Sequence, residues 1–308
     1  MPPRSARTTV AATFAATLVG VLVGGALTGC GAIIPTEERL PLTIGTHASL
    51  GNDVIAEVYG QYLDNHGYAV SYNPGIGDRE NYLMALRTGV VDLVPDFTAD
   101  LLYELESESL ATRLDEVDAA LTVALSPLEL RVLDPAPAAR PDSFVVTRAF
   151  ADAHGLETIT DLAGLAEPVT IAADARWEGR PYGREGLEET YNIVGWTSHP
   201  FDSPSDAALA EQLLAGAAQV AVIPVTSPVI KASDLVVLED HLGLFPAQHL
   251  IPVVSADSRS VRLSDLVDTV SAELTTEAMA DLLARSARAT STSEYIAEHW
   301  LRSRGLID

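Results

Sequence analysis

Hydrophobic and polar residues alternate along the first part of this chain in a pattern that predicts strands separated by helices. A short apolar run occupies residues 42–44, and residues 52–67 carry apolar side chains at helical spacing. The same order follows with a predicted strand at 69–72, a helix at 80–88 and a strand at 90–94. Strands that alternate with helices over short connections predict a parallel sheet with helices on its faces.

A proline-rich stretch at 134–141 interrupts this periodicity, and a second alternation begins after it. The predicted strands of this half are residues 143–147, 169–172, 219–223 and 250–254. The predicted helices are residues 186–193, residues 206–217 and three segments between 263 and 301, and an acidic helical region at 99–125 precedes the prolines. The simplest interpretation is an α/β protein with two units of about 100 residues each and a helical C-terminus.

The composition of the chain argues against several classes of function. The chain has 308 residues, of which 47% are apolar, so it is long enough to bury a substantial core. Its 43 acidic and 19 basic residues give a formal charge of −24, which opposes binding to nucleic acids. The single cysteine, Cys30, excludes a disulfide framework and a paired-cysteine zinc site.

The N-terminus has the features of a bacterial signal peptide. Arg4 and Arg7 precede a small-residue apolar stretch at 10–27, and no acid occurs before Cys30. The sequence Leu-Thr-Gly-Cys at 27–30 resembles the lipobox of bacterial lipoproteins. This resemblance implies a signal peptide at 1–29, a lipidated Cys30, a tether at 30–39 and a protein held at the outer face of the cytoplasmic membrane. An uncleaved membrane anchor is the alternative.

The loops that follow the predicted strands carry motifs in the order found in a known family. They are Ile-Gly-Thr-His-Ala-Ser-Leu at 44–50, Gly-Val-Val-Asp-Leu-Val-Pro-Asp-Phe-Thr at 89–98, Trp-Glu-Gly-Arg-Pro-Tyr-Gly at 177–183 and a Leu-Val-Val-Leu-Glu-Asp stretch from 235. The series resembles the substrate-binding proteins of ABC importers for glycine betaine, choline and related osmoprotectants. The resemblance extends from Leu42 to Asp308.

The resemblance implies an α/β fold of the two-lobed periplasmic-binding-protein type (type II), with the ligand in the cleft between the lobes. Residues 40–142 and 248–308 are expected to form lobe one, and residues 143–247 lobe two. The expected function is capture of a glycine betaine-like or choline-like osmoprotectant, or a related small zwitterion, for an ABC permease and its ATPase. No cofactor, metal or covalent chemistry is expected. A two-lobed extracytoplasmic sensor that reports ligand to a membrane partner is the alternative.

Four aromatic side chains surround the ammonium group in that family. Aromatic faces suit a quaternary ammonium group because it has no N–H to donate in a hydrogen bond. Two of the positions fall on Phe97 and Phe144, whereas the third falls near Ala210 and the fourth at Gln248 or His249. Only half of the expected cage is therefore present.

The family also places a lysine, a threonine and an arginine at the ligand carboxylate. The arginine position is Arg180, but the lysine position holds His47 and the second threonine of the motif is replaced by Asp100. Trp177 and Tyr182 flank Arg180 and are candidates to restore aromatic surface. Arg79 is a candidate for an additional donor. These replacements predict a modified pocket or a more polar ligand.

Each candidate also has a purely structural interpretation. Phe97 and Phe144 are equally typical of core residues, Trp177 of a residue that packs its loop, and Arg79 of a solvated side chain. Arg180 has Glu178 and Glu185 as nearby ion-pair partners in sequence, and His47 is placed to cap the helix near Asn52. An enzyme is disfavoured because Ser49, His47 and Asp53 lack the Gly-x-Ser-x-Gly turn and the histidines lack zinc-site spacing.

Overall fold

The computed structural model describes residues 39–47, 52–202, 204–256 and 260–308. Its strands are β1 (Leu40–Gly45), β2 (Tyr68–Asn73), β3 (Leu93–Phe97), β4 (Leu130–Val132), β5 (Asp142–Thr147), β6 (Thr170–Asp174), β7 (Thr197–Phe201), β8 (Val220–Pro224), β9 (Leu235–Val237) and β10 (Leu250–Ser255). Its α-helices are α1 (Asn52–Asn65), α2 (Arg79–Arg87), α3 (Thr98–Leu105), α4 (Leu114–Leu125), α5 (Arg148–His154), α6 (Arg184–Tyr191), α7 (Asp206–Leu214), α8 (Pro228–Ala232), α9 (Val261–Glu273), α10 (Thr276–Ala287) and α11 (Ser293–Ser303).

The strands form two five-stranded sheets. The first has the order β2-β1-β3-β10-β4, and the second has the order β7-β6-β8-β5-β9. In the first sheet β1 pairs in parallel with β2 and β3, whereas β10 is antiparallel to both β3 and β4. In the second sheet β6 is parallel to β7 and β8, and β5 is antiparallel to β8 and β9. The predicted α/β class is confirmed, but each sheet is mixed.

Helices cover both faces of each sheet because the central strands are apolar on both sides. All five residues of β3 and all five of β8 are buried. In β3, Leu93 and Phe97 join a cluster with α1 and α9–α11, whereas Val94 joins a second cluster with α2–α4. The second sheet likewise has one cluster on each face. The first sheet and its helices are called lobe one below, and the second sheet with α5–α8 is called lobe two.

The chain passes from lobe one to lobe two between β4 and β5 and returns between β9 and β10. This division supports lobe boundaries near 142 and 248, which stay a prediction. Asp142, assigned by the sequence to lobe one, is the first residue of β5 and pairs with Pro224 in the second sheet. The acidic region at 99–125 forms two helices, α3 and α4.

The predictions for the N-terminus concern residues that the structure does not describe. The signal peptide at 1–29, the lipidated Cys30 and the tether up to residue 38 lie outside the described residues. Among the helices that the structure describes, none has the length and apolar character needed to span a bilayer.

Candidate ligand-binding site

A buried carboxylate organises the lobe-one side of the site. Asp96 lies in β3 and has no exposed surface. Arg79, the first residue of α2, donates from Nε and Nη2 to the two oxygens of Asp96 at 2.9 Å each. His47 Nε2 lies 3.2 Å from Asp96 Oδ1, and the Tyr82 hydroxyl donates to Oδ2. The bidentate arginine pair fixes the direction of both side chains.

The charge of Asp96 is stable despite its burial. Burial opposes ionisation, but the Arg79 guanidinium and the hydrogen bond with His47 hold the pKa of Asp96 well below its ordinary value. The same carboxylate and burial raise the pKa of Tyr82, so that the phenol stays protonated and donates. The His47 ring also stacks on Tyr82, with 5.5 Å between ring centroids. His47 therefore belongs to a fixed polar cluster.

Asp100 extends this cluster towards lobe two. It lies in the first turn of α3, and its Oδ2 is 3.3 Å from Arg79 Nη2. Its Oδ1 accepts a hydrogen bond of 3.0 Å from Nη1 of Arg180, which belongs to lobe two. The two side chains of this pair are 21% and 13% exposed, respectively. Asp100 therefore joins arginines of both lobes.

Aromatic rings surround the guanidinium of Arg180. The guanidinium carbon lies 4.8 Å from the ring centre of Tyr103 and 5.4 Å from that of Tyr182, and Nη1 donates to the Tyr182 hydroxyl. Arg180 Nε is buried and has no hydrogen-bond partner among the described residues. Gly183 lets this loop fold tightly, because a Cβ at that position would clash with the Trp177 carbonyl oxygen. The loop geometry thus presents Arg180 to lobe one.

A third acid lies near this interlobe pair. Burial and the charge of Asp100 raise the pKa of Asp142 to about 6, although Arg180 and Arg140 act in the opposite direction. The cluster of charges therefore contains a carboxyl group that is harder to ionise than an ordinary aspartate.

The predicted aromatic residues lie in the lobe interiors. Phe97 packs in the core of lobe one, with the Arg140 guanidinium 5.7 Å from its ring centre. Phe144 has no exposed surface and meets Trp177 edge to face in lobe two, with 5.8 Å between ring centroids. Trp177 is also buried, and its indole N–H has no partner in the described part of the chain. These three rings occupy core positions rather than an open cage.

The two remaining cage positions also have structural roles. Gln248 Oε1 accepts hydrogen bonds from the backbone N–H groups of Ala99 and Asp100, at 2.8 and 3.1 Å. It therefore satisfies free donors in the first turn of α3 and holds Asp100 in place. His249 contacts the Ala136 carbonyl, and Ala210 is buried in the core of lobe two.

The structure joins the side chains of four of the eight candidates from the sequence, and Gln248 accepts a hydrogen bond from the backbone of one of them, Asp100. His47, Arg79, Asp100 and Arg180 form one connected network with Asp96. Sequence reasoning missed Asp96, Tyr82, Tyr103 and Asp142. A signal for Asp96 was present, because a carboxylate inside an otherwise apolar strand must find donors when it is buried.

A cavity of about 170 Å³ lies beside the Arg180 stack, between α3 and the segment 181–190. Residues of both lobes line it, including Leu102, Tyr103, Tyr182 and Leu244. Side chains of lobe one and lobe two therefore line a partly open space between the lobes.

The sequence places this geometry in a known family. Residues 41–303 match the family described as the substrate binding domain of ABC-type glycine betaine transport systems. The chain belongs to this family. The matched residues include most of both lobes.

Solved structures show the same fold. The structure of a glycine betaine/carnitine/choline ABC transporter protein aligns with a TM-score of 0.74 at 20% identity, covering 87% of this chain and 100% of that one. Lactococcal OpuAC, in its closed-liganded conformation with glycine betaine, aligns with a TM-score of 0.57 at 16% identity, over 87% and 97% of the chains. An ABC-transporter choline binding protein in complex with choline gives 0.58 at 11% identity, over 86% and 89%. The fold is therefore the two-lobed type II periplasmic-binding-protein fold.

Replacing Asp96 by Asn should destabilise the protein. Asn keeps the shape but leaves the partly exposed Arg79 without its bidentate anion, and removal of one partner of a buried pair costs about 3–5 kcal/mol. Urea unfolding of wild type and Asp96→Asn measures the loss. Asp152→Asn, which neutralises an exposed acid on α5, is the control. A loss equal to that of the control would show that Asp96 does not organise the cluster.

Replacing Asp142 by Asn should stabilise the protein at neutral pH. The pKa of this carboxyl is about 6 in the folded protein and 3.8 as its ordinary value. The wild type therefore loses stability as the pH rises from about 4 through 6, whereas the variant does not. We expect the free energy of unfolding of Asp142→Asn to exceed that of the wild type by about 1–3 kcal/mol at pH 7.5. Urea unfolding of both proteins at pH 4 and at pH 7.5 measures the difference in their free energies of unfolding. The same difference at both pH values would contradict the raised pKa of Asp142.

Proposed function

We propose that this protein captures a small zwitterionic or quaternary ammonium solute outside the cytoplasm and delivers it to an ABC permease with its ATPase. The family and fold identify a solute-binding protein of such importers. Proteins of this type work outside the cytoplasmic membrane, where an importer collects its cargo. The proposed ligand class is that of glycine betaine, choline and related osmoprotectants.

The Arg180–Asp100 ion pair is the observation that carries this proposal. It joins lobe two to lobe one in 3.0 Å contact, and the cavity beside it is lined by both lobes. A ligand in this space contacts both lobes at once, so its binding favours the closed arrangement over an open one. Closure also removes water, which strengthens electrostatic contacts in the site.

The side chains of the site divide into two groups in this proposal. His47, Arg79, Asp100 and Arg180 supply the polar wall of the cleft. Phe97, Phe144, Trp177 and Gln248 support that wall from the lobe interiors, because each is buried. Tyr103 and Tyr182 supply the aromatic faces that the cage positions lack.

Attachment to the membrane is part of the proposal. The Leu-Thr-Gly-Cys sequence supports lipidation of Cys30 after removal of residues 1–29. One lipid chain binds a membrane weakly, so a lipoprotein anchor of several chains is needed to hold the protein near its permease.

Isothermal titration calorimetry on the full chain in detergent tests the ligand class. The probes are glycine betaine, proline betaine, choline and carnitine, and 3,3-dimethylbutanol serves as the uncharged analogue of choline. We expect saturable binding of at least one quaternary ammonium compound and none of the uncharged analogue, since the analogue has no charge for the aromatic and acidic groups to attract.

Ligand-induced closure provides an independent readout. The radius of gyration from small-angle scattering should decrease, and the midpoint of thermal unfolding should rise, only with the compound that binds. Binding of ordinary amino acids in place of all four quaternary compounds would contradict the proposed ligand class.

A further inference from the structure

We propose that Asp100 is a built-in carboxylate that occupies Arg180, and that it makes this site select organic cations without a carboxylate over zwitterions. The inference rests on the proposed function, because it concerns which member of the proposed ligand class binds. It makes Asp100 a specificity-determining residue.

The first argument is that Asp100 is already placed where a carboxylate ligand would be attracted. Its two oxygens face guanidinium groups from both lobes, Arg180 at 3.0 Å and Arg79 at 3.3 Å. Arg79 is also bound in bidentate fashion by Asp96. A ligand carboxylate that approaches either arginine must therefore compete with a carboxylate attached to the protein.

The second argument concerns the charge left behind by such competition. If a ligand carboxylate displaced Asp100 from Arg180, four anionic groups would lie near one another: the ligand, Asp96, Asp100 and Asp142. Like charges in a partly buried cleft repel strongly. The raised pKa of Asp142 shows that the acids and burial already outweigh Arg180 and Arg140 at this point, and Asp206 on α7 acts in the same direction.

The third argument is that a cation finds suitable surroundings in the same cleft. The cavity of about 170 Å³ is lined by Tyr103, Tyr182 and the acidic Glu189. Arg180, which stacks on both tyrosine rings, is not among the described lining residues, and its charge is paired with Asp100. Aromatic faces and carboxylates both attract organic cations.

The test compares choline with glycine betaine, which carry the same trimethylammonium group and differ in the carboxylate. Isothermal titration calorimetry on the full-length wild-type protein should give an affinity for choline at least about tenfold higher than for glycine betaine, a difference of about 1.4 kcal/mol. In Asp100→Asn the ratio should fall by about tenfold or more, because Arg180 loses its internal partner and becomes available to the betaine carboxylate.

Three controls separate specificity from folding. Asp100→Glu keeps the charge and should keep the preference for choline, and Asp152→Asn should behave as wild type because the residue is exposed on α5. Asp100→Ser provides a second neutral variant if Asp100→Asn is poorly folded, as judged by thermal unfolding. The readout is the ratio of two affinities in one protein, which a general loss of stability does not invert.

The outcomes distinguish the two proposals. Equal or stronger binding of glycine betaine by the wild type, or an unchanged ratio in both neutral variants, would overturn the role of Asp100 while leaving the proposed function in place. Failure of wild type and variants to bind either compound would overturn the proposed ligand class and this inference together.

Discussion

The carboxylate of Asp96 is the constraint on which the candidate site depends. An ionised group without exposed surface is stable only when donors surround it, and here Arg79, His47 and Tyr82 provide them. Arg79 donates to Asp96 from both Nε and Nη2, so the Arg79 guanidinium has a fixed position next to α3. Asp100 then has a defined cation on one side and turns its other oxygen to Arg180 in lobe two. The interlobe contact therefore depends on a buried charge inside lobe one.

Most of the strands were predictable from the sequence, although β4, β7 and β9 were not predicted. The direction was predictable only for strands joined by a short helical connection. The parallel pairing of β1 with β2 and β3 follows from the short helical connections, and it is confirmed. The apolar run at 250–254 predicts a strand. Its antiparallel position between β3 and β4 depends on contacts between residues that are far apart in the sequence. Hydrophobic periodicity describes which residues are buried, not which distant strand they meet.

The candidate site shows the same limit at the level of single side chains. The resemblance to the family singled out His47 and Arg180, and Arg79 lies just before the helix predicted at 80–88. All three lie in predicted loops at the strand ends where α/β proteins bind ligands. Phe97 follows Asp96 in β3, and adjacent strand residues point to opposite faces. The sequence alone does not show which face is the cleft side. Asp96 meets α2 while Phe97 packs against the α1 side, and this is decided by tertiary packing.

An internal ion pair across the cleft also changes the energetics of closure. In a binding protein without such a pair, the ligand supplies most of the contacts that favour the closed state. Here Asp100 and Arg180 contribute to closure before any ligand enters, so the ligand shifts the equilibrium only by the interactions it adds. Side chains that are 21% and 13% exposed are partly shielded from salt, so this contribution persists at ionic strengths that screen surface pairs.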